Sequence, residues 1–314
     1  MTNIHDIAHQ SGYSVSTVSR YLNHSGYVST TAAQAIQAVI TKLDYVPNSI
    51  ARDLSTGQTS AIGVVVPHMR HPYFTQLVAG IMEAAFAAHF NVSLLQSKYD
   101  AKLEIKYLEQ LHQKTYAGLI FTSHGISLQQ LSHYQKYGPV VCCEDPGEVN
   151  LSAAFTSRQA TYLEAFNLLK QQGYQRIGLT LSRNYELSAT SQQTLDCYRQ
   201  VFGQMPAPEL LLTQITTYDE AYQAATKFLN LAAPPDFIFT NGDAIAAGLR
   251  QGYLDHHQPV PPLMGQENQL ASQLLDISTI DHHFRQVGAA AFDLVRSPIV
   301  KQVELTSELI IREH

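Results

Sequence analysis

Apolar residues along this chain keep two different rhythms, and the change between them falls near residue 60. Before it, Ile4, Ile7 and Ala8, then Val15, Val18 and Leu22, then Ile36, Val39, Ile40 and Leu43 recur at helical spacing. Asn3 and Ser14 stand where N-caps belong, and Gly12 supplies a turn between the first two segments. Three short helices with a tight glycine turn between the first and second is the helix-turn-helix pattern. Pro47 then opens a fresh segment in which Ser49–Leu54 has room for little more than one or two helical turns, followed by the small polar run 55–60. So short a helix is marginal alone in water.

After Ala61 the rhythm becomes one of continuous apolar runs at 61–67, 92–97, 117–123, 139–144, 176–182, 236–241 and 262–267. Amphipathic stretches such as 75–89, 103–114, 160–172 and 244–254 separate them. Apolar strands alternating with helices predict parallel sheets covered on both faces. Some 250 residues of this pattern exceed one comfortable open sheet and predict two lobes. The expected organisation is a head at 1–46, a hinge helix and linker at 47–60, and a core at 61–314. The first lobe is expected at about 61–157 plus 280–297, and the second at about 158–279 plus 298–314.

Composition narrows the class. Of 314 residues, 45% are hydrophobic and 15% charged, as in ordinary soluble proteins. The N-terminus lacks the basic and apolar regions of a signal peptide, and no apolar run reaches membrane-spanning length. Three cysteines, Cys142, Cys143 and Cys197, lack metal spacing and suit a reducing compartment, so a cytoplasmic protein is expected. Net charge is −6, yet residues 1–60 balance Arg20, Lys42 and Arg52 against Asp6, Asp44 and Asp53. A neutral head has a weak non-specific attraction to phosphates, so any DNA binding must rest on pairing, base contacts and helix N-termini.

On the second helix, Ser16, Thr17 and Arg20 share the exposed face, where hydroxyls and a guanidinium can reach base edges or phosphates. Arg20 can read guanine bidentately or clamp phosphate. A small three-helix domain with no DNA role has the same pattern. The stretches 4–23 and 42–67, however, resemble the head and hinge of the LacI family of transcription regulators. The resemblance rests on Asp6, Ala8, Gly12, Ser14, Thr17-Val18-Ser19-Arg20, Asn23, Tyr45, Pro47-Asn48, Ala51 and Leu54. It implies that Val15 and Ser16 set operator choice, and that Leu54, beside Ala51, wedges into the minor groove. Ser14, Ser19, Asn23, Tyr27 and Asn48 complete the implied DNA-contact set.

The resemblance continues through His71-Pro72-Tyr73-Phe74, the 118–123 run, Asp243-x-x-Ala246-x-Gly248 and the ending at 309–314. It implies a periplasmic-binding-protein-like core of two Rossmann-like lobes holding a small effector, usually a sugar or purine, at strand C-terminal ends. Tyr73 and Phe74 can stack on a sugar or pack within a lobe. Glu144 ends a strand, as an effector contact or a solvated charge. Asp243 can accept from a ligand hydroxyl or cap its helix. Glu267 follows Gly265-Gln266 where the family often has aspartate, and Thr194 lies in the helix expected near 194–198. Many sugar-responsive members carry arginine in that helix start, whereas this chain has Gln193-Thr194-Leu195-Asp196. The Glu144-Asp145 region looks like the subgroup regulating maltodextrin or multiple-sugar utilisation.

His68 with His71, His256-His257 and His282-His283 lack companions for a metal site, and no catalytic, nucleotide or cofactor motif occurs, so neither an enzyme nor a cofactor is expected. The expected protein is a homodimeric repressor of carbohydrate genes. It binds near-palindromic operator DNA and responds allosterically to a saccharide, without membrane association. A catabolite-type regulator using a phosphocarrier corepressor is the alternative, and a sugar receptor without DNA function a further one.

Overall fold

The computed structural model describes residues 3–23, 25–45 and 59–312. The expected hinge, with Asn48, Ala51 and Leu54, lies outside them. The chain forms two compact units that divide after Thr59.

In the first unit, α1 (Ile4–Ser11), α2 (Val15–Leu22) and α3 (Thr30–Lys42) pack around Ile7, Ala8, Val18 and Ile36. Each start has a chemical cause. Asn3 accepts from the backbone of His5 and Asp6 while the Asp6 carboxylate reaches back to the Asn3 N–H at 2.8 Å, a reciprocal capping box. Ser14 accepts from the Thr17 N–H and Ser29 from the Ala32 N–H. Gly12, at φ 76°, closes α1 in the left-handed conformation that frees the chain to turn into α2.

The second unit contains two six-stranded sheets. The first has the order β11-β5-β4-β3-β1-β2 and is wholly parallel, built from β1 (Ala61–Val66), β2 (Asn91–Gln96), β3 (Gly118–Phe121), β4 (Val140–Cys142), β5 (Ser152–Ser157) and β11 (Gln302–Thr306). The second runs β12-β10-β9-β8-β6-β7, from β6 (Ile177–Thr180), β7 (Leu211–Leu212), β8 (Phe237–Phe239), β9 (Leu263–Gln266), β10 (Ser278–Asp281) and β12 (Glu308–Ile310). Only β12 is antiparallel, against β10.

Helices cover both faces of each sheet, as continuous apolar strands require. In the first lobe Ile62 and Val64 face α4 (Pro72–Ala87) and α12 (Phe284–Val295), whereas Val65, Leu119 and Phe121 face α5 (Ala101–His112) and α6 (Leu128–Tyr134). In the second, Leu179 and Phe239 face α7 (Gln159–Gln171) and α8 (Ala189–Phe202). Ile238 and Leu263 face α9 (Tyr218–Leu229) and α10 (Asp243–Asp255), with α11 (Leu270–Leu274) following β9.

The chain passes between the sheets three times: after β5, after β10 and between β11 and β12. Three expectations change here. Residues 302–306, expected in the second lobe, pair with β5 in the first sheet. Ile280, expected in the first lobe, packs in the second. The run at 92–97, read as a buried strand, is instead an edge strand with Leu94 exposed. Among the described residues no helix is long and apolar enough to cross a membrane.

Candidate functional sites in the head and the core

The second helix of the head turns one face inward and leaves the other open. Val18 is fully buried and Val15 packs partly against the same core, so Val15 offers only part of its surface outward. Ser14, Ser16, Arg20 and Asn23 are exposed, and Thr17 and Ser19 half-buried. Local bonds fix several of them. The Ser14 and Thr17 hydroxyls lie 2.9 Å apart, and Asn23 donates to Ser19 Oγ at 3.3 Å. Ser16 and Arg20, one turn apart, are the unencumbered polar groups of this face. Tyr27, in the loop before α3, is 85% exposed, far more than an ordinary tyrosine needs.

In the core, the C-terminal ends of both sheets' parallel strands carry the polar residues, as open α/β sheets dispose their ligand sites. Glu144 follows β4, and its carboxylate lies 2.6 Å from His124 Nε2. His124 Nδ1 lies 2.6 Å from the Ile126 carbonyl, so both ring nitrogens face acceptors and both must carry hydrogen. Burial alone would lower the His124 pKa, but the hydrogen bond and charge of Glu144, with the Ile126 carbonyl and Glu104, raise it. Glu104, fully buried, accepts from the Gly125 and Ile126 N–H groups and fixes this loop.

Other expected cleft residues prove to be committed elsewhere. Phe74 is buried, edge-on to His68 and Tyr73. The Tyr73 ring packs edge-on against Phe284, and its hydroxyl faces the carbonyls of Thr122 and Cys143 at 3.0 and 3.2 Å, tying the ends of β3 and β4. Both aromatics therefore serve first-lobe packing, not an open stacking surface. Thr194 is buried and bonds back to the Thr190 carbonyl of its own helix. Asp243 is fully buried and is the first residue of α10, not its cap. Its carboxylate accepts from the Gln269 N–H at 2.6 Å, Ser272 Oγ at 2.7 Å and Thr279 Oγ1 at 2.6 Å. Burial outweighs these bonds and raises its pKa to about 6. With its acceptors filled by protein donors, it knits β10 and the 267–272 segment to α10.

Glu267 lies where the lobes meet. Its backbone is left-handed (φ 94°), as is that of Asn268 (φ 47°), a strain of the kind that persists where surrounding structure over-determines it. Gln76 of α4 donates to the Glu267 carbonyl at 3.2 Å, and the carboxyl lies 3.4 Å from His71 Nδ1. That approach is not an ion pair. Nδ1 already accepts from the Tyr73 N–H, and burial holds His71 down at about 4, with help from His68 and Arg158. Burial, then the Asp243 charge, drives Glu267 well above the usual carboxylate range, so burial disfavours the charged form of both groups.

Three residues outside the expected effector-contact set complete the junction. Arg158 follows β5 and donates to Thr190 Oγ1 at 2.7 Å. Arg183, after β6, lies 4.3 Å from the Tyr99 ring centroid of the first lobe. His282 is buried and lies 2.8 Å from Gln266 Oε1, which also accepts from the Tyr162 hydroxyl. Arg158 was hidden because β5 reads SAAFTS, too small and polar to register as an apolar run. His124 was detectable, since it follows a recognised strand just as Glu144 does. A groove of about 570 Å³ runs beside this junction, bordered by Pro72, Gln76, Glu267, Leu270, His283 and Arg285.

Residues 3–48 match the family described as bacterial regulatory proteins of the lacI family, and residues 59–314 match the periplasmic binding proteins and sugar binding domain of LacI family. Catabolite control protein B of Bacillus subtilis is 36% identical over 294 residues, which span 94% of each chain. The sucrose operon repressor of Staphylococcus xylosus is 27% identical, over 96% of this chain and 95% of that one. Among solved structures, the lac repressor dimer bound to operator and the anti-inducer ONPF superposes with a TM-score of 0.83 at 20% identity, covering 99% of this chain and 98% of that chain.

Proposed function

This chain belongs to the LacI family of bacterial regulatory proteins, and on that premise we propose that it is a DNA-binding repressor of carbohydrate-utilisation genes. The observation carrying this reading is the joining, in one chain, of a helix with exposed Ser16 and Arg20 to a two-lobed core with polar residues at its strand ends. Two heads on a dimer read two half-sites, and a small saccharide between the lobes changes operator affinity. The effect is allosteric because the ligand prefers one lobe arrangement. Such a protein works in the cytoplasm, where the DNA is.

The expected pairing surface is apolar. Met82 and Phe86 stand one turn apart on α4, 50% and 83% exposed, and Leu270 and Leu274 one turn apart on α11, 66% and 72% exposed. The groove bordered by Pro72, Gln76 and Leu270 connects the two helices. Exposure of this kind marks an interaction surface.

Selection of bound sequences from a random DNA pool tests the central claim. A near-palindromic site is expected, and deletion of residues 1–60 abolishes its binding. A protein that selects no site overturns the reading. Leu54→Ala lowers operator affinity at unchanged saccharide binding; unaltered affinity removes the wedge role. The relative named catabolite control protein B favours a second reading, a catabolite regulator with a phosphocarrier corepressor. Co-purification with that phosphocarrier, and operator binding that depends on it, separates the two.

A further inference from the structure

Arg158 stands at the first crossing between the lobes, directly after β5 and at the head of α7. Its guanidinium touches both sides. Nη1 donates to Thr190 at the start of α8 in the second lobe, and Cζ lies 5.5 Å from the ring centroid of Phe284, which packs in the first. Nε is buried and has no hydrogen-bond partner. Among the described residues Arg158 forms no ion pair, although Arg176, Arg199 and Arg285 each have one.

The groups around Arg158 do not offset its charge. It acts on His71, Tyr73, Tyr162, Glu267 and His282, which lie around it on elements of both lobes. The one carboxyl among them, Glu267, forms no ion pair with Arg158 among the described residues, and burial disfavours its charged form as it does that of both histidines. Glu144 is engaged by His124. A second cation adds to the surplus: Arg183 reaches across to Tyr99, likewise without a carboxylate partner among the described residues. A partly buried guanidinium with an unfilled donor and no counter-charge is costly. Neutral sugar hydroxyls would fill the donors and leave the charge. A phosphate or carboxylate does both, since its oxygens match the guanidinium fork.

We infer that the effector is a carbohydrate bearing an anionic group, phosphate or carboxylate, and that Arg158 binds that group. Through Thr190, Arg158 also brings a guanidinium to the first turn of α8. The inference rests on the effector-cleft reading above and fixes the chemistry of its ligand.

The test uses the full chain in thermal-shift and calorimetric titrations with glucose, glucose 6-phosphate and glucuronate. One or both anionic sugars are expected to bind at least about tenfold more tightly than glucose, a single charge-assisted contact being sufficient for that ratio. The preferred anion identifies phosphate or carboxylate. Arg158→Gln removes the preference, and Arg158→Lys, which keeps the charge but not the fork, retains part of it. Should the glutamine variant not fold, judged by its ligand-free melting temperature, the lysine variant and the salt dependence of wild-type binding carry the test. Glucose binding as tightly as either anion, or an anion preference surviving Arg158→Gln, overturns this inference alone. If none of the three binds or alters operator affinity, the effector reading falls with it.

Discussion

At the residue scale, burial decides what the acidic and basic groups of the core can do. Asp243 is kept by three donors, of which the Ser272 hydroxyl also has the Gln269 carbonyl within reach at 2.9 Å. Asp243→Ala leaves the Gln269 N–H and the Thr279 hydroxyl facing an empty acceptor position and is expected to cost about 2–4 kcal/mol. Urea unfolding followed by far-ultraviolet dichroism measures it, and a loss below about 1 kcal/mol would remove the knitting role. His71 carries a pH dependence whose sign is fixed by its depressed pKa. With the folded value near 4 and the unfolded near 6.5, the neutral ring's contribution is complete above pH 6.5 and lost as pH falls towards 4. Its full size is roughly 3 kcal/mol. Asp243 and Glu267, with raised values, slope the opposite way and mask it in the wild type. His71→Asn keeps an oxygen for the Tyr73 N–H but does not titrate. Wild type should therefore gain stability relative to this variant between pH 4 and 6.5, and parallel curves would refute the assignment.

Elements meet more closely than their sequences announce. In the first lobe α4 and α12 cross through reciprocal glycines. A Cβ at Gly80 would stand 2.0 Å from the Arg285 carbonyl oxygen, and one at Gly288 2.2 Å from that of Leu77. Alanine at either position gains about 1 kcal/mol of helix propensity but forces the helices apart, at about 1–3 kcal/mol. Net destabilisation of Gly288→Ala is expected, read from its unfolding midpoint. The double variant with Gly80→Ala should cost less than the sum of the singles, because one separation of the helices relieves both clashes. Strict additivity would mean that the two contacts are independent. In the head, by contrast, the elements follow their local signals: the Asn3, Ser14 and Ser29 caps and the Gly12 turn start and stop helices where the pattern says they should.

The whole molecule adds what no single element contains. Met82 and Phe86 on α4, with Leu270 and Leu274 on α11, are left exposed among the described residues and invite a second copy. Phe86→Glu places a charge at the most exposed of the four and should shift a dimer towards monomer in sedimentation velocity. An unchanged sedimentation coefficient would place the interface elsewhere. Since operator reading depends on two heads, the same variant should lose operator affinity with it.

The sequence by itself determined the helix-turn-helix head, the alternation of buried strands and helices, the two lobes and the family. Those follow from local periodicity, caps and a run of residues whose spacing is specific. It also placed Glu144 and Glu267 at strand ends. Only the tertiary structure decided which polar residues remain available. Asp243, Thr194, Tyr73 and Phe74 stand at the right positions along the chain, yet their polar atoms or rings are taken up by protein partners. Arg158 became visible only when the end of β5 was brought beside Thr190 of the second lobe and Phe284 of the first. The last strands show the same division: residues 302–306 alternate like any edge strand, and nothing local says that their partner is β5, some 150 positions earlier. Helix caps and apolar rhythm act over a few residues, whereas burial, hydrogen-bond satisfaction and charge balance are set by neighbours remote in sequence.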